Sequence, residues 1–192
     1  MTIFLILAPF AAFATLMLVT SAAVSLFASA AICLLVIGYD IVGGRSVKLL
    51  GAGSAIVFAA VGCYLTLVDA GLSTSAVKLA VDAGVFATAL TSLAIRQPFT
   101  LQYAREVVDT ETTRLPGFLR VNYIITGAWT GAFLAMMIAN VLMIYVPGLP
   151  LWSGLVIAFA ARNSAAYFTK WYPQYCKAKY GALPAHALPG TR

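Results

Sequence analysis

Long apolar runs separated by short polar gaps are the main feature of this chain. The first run extends from Ile3 to Tyr39 without a charged residue, and a helix needs about 20 apolar residues to cross a bilayer. It is therefore long enough for two crossings, with Thr20 and Ser21 as the predicted turn between them. Later gaps divide the rest of the chain in the same way. The pattern predicts six transmembrane helices, at residues 3–19, 21–40, 49–68, 75–95, 118–146 and 151–169.

The gap between the fourth and fifth predicted crossings contains a shorter amphipathic segment. Pro98 ends the fourth crossing, because proline cannot easily continue a helix and disfavours helix at the residue before it. Phe99, Tyr103 and Val107 then recur every four residues and form one apolar face. We expect a short interfacial helix at residues 99–108, lying on the membrane surface.

Composition supports this interpretation, since 62% of the residues are apolar, 9% are charged and the mean hydropathy is +0.95. A soluble domain of 192 residues has no core large enough for so many apolar side chains. Residues 1–172 are therefore predicted to form one all-α domain, a polytopic integral membrane protein built as a six-helix transmembrane bundle. Residues 173–192 are predicted to form a flexible cytoplasmic tail.

The basic residues predict the orientation of this bundle. Of the 12 lysines and arginines, ten fall in gaps on one side of the six crossings or after the last one. Cytoplasmic loops carry an excess of these residues, so both termini are predicted to be cytoplasmic. The net charge of +6 then favours contact with membrane lipids, including anionic headgroups, rather than with nucleic acid.

The first apolar segment is expected to be retained in the mature protein. Ala12, Phe13 and Ala14 resemble a signal-peptidase site, which is the alternative, but no lysine or arginine precedes the segment.

The sequence contains no residue pattern for standard catalytic or metal chemistry. Its single histidine, His186, lies in the predicted tail, and Cys33, Cys63 and Cys176 lack the spacing of a metal site. Phosphate-binding loops and nucleophile motifs are also missing from the sequence. We therefore predict no catalytic residues, no metal, no cofactor and no enzymatic activity.

Polar residues within the predicted crossings are candidates for function, because ionisable groups in hydrocarbon are costly. Lys78 and Asp82 lie four residues apart on the fourth crossing and can pair along one helix face. Asn140, on the antiparallel fifth crossing, lies at about the same depth as Asp82. Together with Tyr64 these residues form a candidate intramembrane polar site. Two interpretations remain open: an ion pair that sets helix depth, or a small polar pocket that binds a headgroup or relays a proton.

Basic residues near the cytoplasmic side form a second candidate group. Arg162 lies inward of the middle of the sixth crossing, so its long side chain can extend to cytoplasmic headgroups. The alternative is an anionic-lipid or substrate-phosphate contact shared with Arg96 or Arg120. The candidate cytoplasmic lipid or partner contacts are Arg96, Arg105, Arg114, Arg120 and Arg162.

Small residues suggest where helices approach one another. Gly127 and Gly131 form a GxxxG pattern on the fifth crossing, and Gly154 and Ala158 are spaced in the same way on the sixth. Such patterns let helix backbones pack closely. We expect the fifth and sixth crossings to do so, and a homodimer is allowed but not required.

A particular order of residues runs through the second half of the chain. It consists of the Arg96-Gln97-Pro98 break, an interfacial segment, then Pro116, Arg120, Asn122, Trp129, Phe133, Ala139, Asn140, Tyr145 and Pro147. In this order and spacing, residues 75–150 resemble the intracellular septation protein A family of small bacterial inner-membrane proteins.

This resemblance implies an accessory or scaffold protein of the bacterial cell envelope, acting in septation or envelope maintenance. It implies a multi-pass protein of the bacterial inner (plasma) membrane whose partners are cell-division or wall-synthesis membrane proteins. The family provides no catalytic residues to transfer. The alternative is a small membrane transporter, channel or lipid-handling protein that uses the polar site at Asp82.

Overall fold

The computed structural model of the chain describes residues 3–146 and 148–180. Within these ranges the protein is helical and contains no strand. Its helices are α1 (Ile3–Val19), α2 (Ala22–Val42), α3 (Leu49–Leu67), α4 (Thr74–Ala94), α5 (Phe99–Ala104), α6 (Thr110–Thr113), α7 (Pro116–Tyr145) and α8 (Leu151–Tyr180). Pro147, which the sequence analysis placed at the end of the fifth crossing, and His186 lie outside the described residues.

Among the described residues, four helices, α2, α3, α4 and α7, are long and apolar enough to cross a membrane, which indicates a membrane protein. Helix α1, at 17 residues, is shorter than these four. Helix α8 is long enough but not apolar enough, because Arg162, Asn163 and Ser164 interrupt its apolar run. A six-crossing bundle requires α1 and α8 to cross as well.

Serine side chains fix the starts of two helices close to their predicted positions. Ser21 accepts a hydrogen bond from the backbone N–H of Val24 at 3.3 Å, and Ser73 accepts one from Ala76 at 3.2 Å. Each bond satisfies a backbone donor that has no partner within its helix. The predicted turn at Thr20 and Ser21 is therefore confirmed, and α4 begins one residue before its predicted start at residue 75.

Helix α4 ends where the proline break predicted. Arg96 takes a left-handed backbone conformation with φ of 58°, the N–H of Gln97 donates to the carbonyl of Ser92, and the N–H of Arg96 donates to that of Leu93. These two bonds form a Schellman motif, which closes a helix C-terminus. Pro98 follows and directs the chain into α5.

The long helices pack mainly against their sequence neighbours: α1 on α2, α2 on α3, α3 on α4, α4 on α7 and α7 on α8. Phe58 of α3 is fully buried at the core, with the rings of Phe10 and Phe13 centred 5.8 and 5.3 Å from its own. Helix α4 adds a buried stripe at every fourth residue, Val77, Val81, Val85 and Ala89.

The segment expected to form an interfacial helix over residues 99–108 has a different structure. Helix α5 ends at Ala104, Phe99 is 3% exposed and Val107 is 66% exposed. The hydroxyl of Thr100 donates to the carbonyl of Asn122 at 3.0 Å and lies 2.7 Å from the hydroxyl of Thr126. These contacts hold the first turn of α5 against α7, so its apolar face packs on the bundle instead of lying on the membrane surface.

The last helix extends past its predicted end at residue 169 and into the segment assigned to the tail. Helix α8 continues through Pro173 to Tyr180, although a proline inside a helix removes one backbone hydrogen bond. Trp171 and Tyr175, which flank this proline, stack with ring centroids 5.1 Å apart. Contacts of this kind at i and i+4 stabilise a helix. The remainder of the predicted tail, residues 181–192, lies outside the described residues.

Two glycines allow the close approach of α3 and α4. A Cβ atom on Gly53 would lie 2.3 Å from Cγ2 of Thr88, and one on Gly84 would lie 2.6 Å from the methyl groups of Val57. Thr88 cannot turn away without losing the bond that its hydroxyl donates to the carbonyl of Gly84 at 2.9 Å. The two backbones therefore meet through these glycines.

The GxxxG pattern on α7 does not serve this purpose. A Cβ atom on Gly127 or Gly131 would meet nothing within 4 Å, so the expectation that these glycines pack α7 against α8 is wrong. Helices α7 and α8 do pack together, and Gly154 of α8 lies where they meet. A Cβ atom on Gly154 would lie 3.4 Å from Cγ of Met143 on α7. Sequence spacing identifies small residues but not the direction they face.

We predict that Gly53→Ala destabilises the protein by about 1–3 kcal/mol, because the added methyl group overpacks the α3–α4 contact. Gly127→Ala is the matched control, and its stability should be unchanged or raised by up to about 1 kcal/mol from better helix propensity. Thermal unfolding of both variants in one detergent measures the difference. Equal midpoints for the two variants would contradict the proposed close approach.

Candidate functional site

The candidate polar site within the membrane joins three helices. Nδ2 of Asn140 on α7 donates to Oδ2 of Asp82 on α4 at 2.7 Å, and also lies 3.3 Å from the carbonyl of Met136. The sequence placed Asp82 and Asn140 at the same depth, and the structure confirms that they meet. This bond links α4 to α7 within the apolar part of the bundle.

Two cations lie near the Asp82 carboxylate without contacting it. Arg162 on α8 and Lys78 on α4 both attract the carboxylate electrostatically, yet neither forms an ion pair with it within 4.0 Å. The predicted i and i+4 pair of Lys78 and Asp82 is therefore a longer-range attraction. The direct partner of Asp82 is the neutral Asn140.

Arg162 lies with this site and apart from the cytoplasmic arginines with which the sequence analysis grouped it. Side chains on a helix tilt toward its N-terminus, and the N-terminus of α8 is at the same end of the bundle as that of α4. The side chain of Arg162 therefore extends toward Asp82. The attraction between the two groups is consistent with that direction.

Tyr64 is not part of this arrangement. It lies near the end of α3, its exposed fraction is 49%, and none of the hydrogen bonds found among the described residues connects it to Asp82 or Asn140. The site thus consists of Lys78, Asp82, Asn140 and Arg162.

A second polar cluster lies at the opposite end of the bundle and was not predicted from the sequence. Asp40, at the end of α2, is 1% exposed, and its Oδ1 accepts a hydrogen bond from Nε of Arg45 at 2.9 Å. The guanidinium group of Arg45 also lies 4.6 Å from the centre of the Tyr39 ring. The basic loop between α2 and α3 is therefore held to the end of α2 through Arg45.

The same cluster links two loops that are far apart in the sequence. Lys48 is 3% exposed and forms an ion pair with Glu106, while the backbone N–H of Leu49 donates to Oε1 of Gln102 at 2.7 Å. In the sequence Glu106 directly follows Arg105. In the structure its partner is the ammonium group at the start of α3.

A small cavity of about 20 Å³ lies behind these residues, between α1, α2, α3 and α5. The side chain of Ser54 lines it, and its buried Oγ has no hydrogen-bond partner among the described residues. Burial and the nearby Asp40 carboxylate raise the pKa of Tyr103, which keeps its hydroxyl neutral. The cavity has room for one water molecule at most, so it is no site for a larger ligand.

One signal in the sequence points to this cluster. Asp40 is the only acidic residue before position 69, and it lies in the last turn of an apolar helix, directly before a basic loop. An isolated carboxylate in that position needs a partner. The pairing of Lys48 with Glu106 has no comparable signal, because it depends on how two distant loops meet.

The remaining candidate arginines are all exposed at this second end of the bundle. Arg96 follows α4, Arg105 follows α5, Arg114 follows α6 and Arg120 lies in the second turn of α7. Between Arg105 and Arg114, Asp109 caps α6 by accepting hydrogen bonds from the backbone N–H and hydroxyl of Thr112, which lower the pKa of Asp109. The four arginines share one end of the protein but form no common binding pocket.

Comparison of the chain with protein-family models, curated proteins and solved structures finds no match.

We predict that Asn140→Ala destabilises the protein by about 1–2 kcal/mol, because the Asp82 carboxylate loses its donor in a poorly hydrated environment. Asn163→Ala is the matched control, since the exposed Asn163 bonds only to the carbonyl of Phe159 in its own helix. Thermal unfolding of both variants in the same detergent is the measurement. Equal losses would show that the bond between α4 and α7 contributes nothing specific.

Proposed function

We propose that the protein is an accessory or scaffold protein of the bacterial inner membrane that acts in septation or envelope maintenance. It crosses the membrane six times, with both termini in the cytoplasm, and catalyses no reaction. The resemblance of residues 75–150 to the intracellular septation protein A family supports this proposal. The contacts of the loop between α4 and α7 provide the structural argument.

The proposed six crossings include α1 and α8 beside the four helices that meet the length and composition requirement. Helix α1 packs along α2 and α8 packs along α7, so each has a spanning helix as its neighbour. Arg162, the charged residue among the three that interrupt the apolar run of α8, is attracted by a carboxylate on α4. A charge that lies near an opposite charge in this way is tolerated inside a membrane bundle.

The observation that carries the scaffold proposal is the anchoring of the connection between α4 and α7. Thr100 bonds to α7, Gln102 bonds to the start of α3 and Glu106 pairs with Lys48. The connection is therefore held on the bundle at three points. A loop fixed in this way presents its outward side chains in a defined arrangement, which a binding partner can recognise.

The exposed surface of this connection is charged. Arg105, Glu111 and Arg114 are exposed, and none of the three forms an ion pair within the described part of the chain. We propose that a soluble segment of a cell-division or wall-synthesis membrane protein binds here. Complementary charges at such an interface provide specificity.

The test is a pull-down from native membranes in mild detergent, followed by mass spectrometry. The variant Arg105→Glu/Arg114→Glu should lose its partner proteins while unfolding at the same temperature, because like charges at an interface cost on the order of several kcal/mol. The control Lys170→Glu/Lys177→Glu makes the same change in net charge at exposed residues of α8 and should retain them. Identical partners for wild type and both variants would refute the scaffold proposal.

A small transporter, channel or lipid-handling protein is the second candidate. The bond between Asp82 and Asn140 and the nearby Arg162 favour it, because charged groups that face one another inside a membrane often mark a path for ions or substrates. In this alternative Lys78, Asp82, Asn140 and Arg162 form the working site.

A homodimer is compatible with either function. Gly127 and Gly131 are exposed and have open space around them. A second copy can approach α7 closely at these positions.

A further inference from the structure

The intramembrane site carries more positive than negative charge. Lys78 on α4 and Arg162 on α8 face one carboxylate, Asp82, while α7 contributes the neutral Asn140. Asn140 occupies one carboxylate oxygen, and neither cation reaches ion-pair distance. One positive charge therefore lacks a counterion from these groups, in an environment where an unbalanced charge is costly.

Arg162 also has unused hydrogen-bonding capacity. A guanidinium group carries five N–H donors in a planar fork, and Arg162 donates no side-chain hydrogen bond within residues 3–146 and 148–180. The geometry of this fork matches the oxygens of a phosphate group, which it can bind through two parallel bonds.

The helix arrangement leaves the site open on one side. Helices α4 and α8 both pack extensively on α7 and make little contact with each other, and Lys78, Asp82 and Arg162 are each partly exposed. We call the side of α7 that lies between α4 and α8 the groove. At a rise of about 1.5 Å per residue, Lys78 lies about 6 Å and Asp82 about 12 Å below the start of α4. The site, with Lys78 nearer the surface and Arg162 near Asp82, thus extends from the end of the bundle toward its middle.

The surroundings of Arg162 are suited to acyl chains. The half of α8 that precedes it exposes large apolar side chains, including Trp152, Leu155, Val156 and Phe159. A soluble anion would have to leave water to reach Arg162, whereas a lipid already has its chains in hydrocarbon and its phosphate near the membrane surface. Both the charge and the apolar surface therefore fit an amphipathic anion.

We infer that the groove between α4 and α8 binds one anionic phospholipid, with its phosphate on Arg162 and Lys78 and its acyl chains along α8. This inference rests on the second candidate function, whose site it uses, and it names the ligand class. Anionic lipids are preferred over zwitterionic ones, because the latter bring a cation of their own.

Native mass spectrometry of the purified protein with added phosphatidylglycerol tests the inference. Arg162→Gln should weaken binding about tenfold, the loss expected for a charge-assisted hydrogen bond, and Arg162→Lys should retain part of the affinity. The matched control is Arg120→Gln, which removes an exposed cation at the opposite end of the bundle and should change binding by less than about twofold. Unfolding midpoints measured for all variants separate loss of the site from loss of the fold.

Several results would overturn the inference. They are wild-type affinity for phosphatidylglycerol in Arg162→Gln, an equal loss in Arg120→Gln, or equal binding of phosphatidylcholine by the wild-type protein. Competition by inorganic phosphate would show that the site takes a free anion instead of a lipid.

A separate assay keeps this inference distinct from the function on which it rests. Movement of labelled phosphatidylglycerol between the leaflets of vesicles containing the protein tests lipid handling, with Asp82→Asn as the inactive variant. If phosphatidylglycerol binds specifically but does not move between the leaflets, the lipid site is supported and the lipid-handling function is refuted.

Discussion

A helix bundle in a bilayer gains little from burying additional hydrocarbon, because lipid tails are as apolar as the side chains that they contact. Polar groups must therefore find partners within the protein, and small residues must let helices approach. In this chain the hydrogen bond from Asn140 to Asp82 meets the first requirement and the contact of Gly53 with Thr88 meets the second. These two contacts give α4 fixed positions against α7 on one side and α3 on the other.

The two ends of the bundle use charge in different ways. At the end where α4 and α8 begin, charges lie within apolar helices and are only partly balanced by one another. At the opposite end, Asp40 with Arg45 and Lys48 with Glu106 form direct pairs that connect loops. The first arrangement suits a site that receives a ligand, since Arg162 forms no ion pair with any residue that the structure describes. The second suits a rigid platform, since the paired groups fix a loop whose other charges face outward.

The sequence predicted most of the helical framework, because long apolar runs and their polar ends are local features. Ser21, Ser73 and Pro98 mark helix ends through bonds or restrictions within a few residues, and the structure confirms each. The contact of Asp82 with Asn140 was also predictable, since residues equally far from the same end of two antiparallel helices lie at one depth. These conclusions need only the lengths and directions of the helices.

Features that depend on how separate elements meet were predicted less well. The apolar face of α5 does not reveal whether it meets lipid or protein, and Thr100 decides the matter through its contact with α7. The spacing of Gly127 and Gly131 does not reveal that they face outward. Arg162 was expected to extend toward the cytoplasmic side. Side chains on a helix tilt toward its N-terminus, however, and for Arg162 this is the opposite direction.

The central claim is that the Asp82 end and the Glu106 end of the bundle lie on opposite sides of a membrane crossed by both α7 and α8. Labelling with a membrane-impermeant thiol reagent tests this most directly, using single cysteines placed in a cysteine-free variant. In intact cells Ala70→Cys and Leu149→Cys should be labelled from outside. Glu111→Cys and Lys177→Cys should react only after the membrane is opened. Labelling of Leu149 and Lys177 variants from the same side would contradict the claim, because α8 would then not cross.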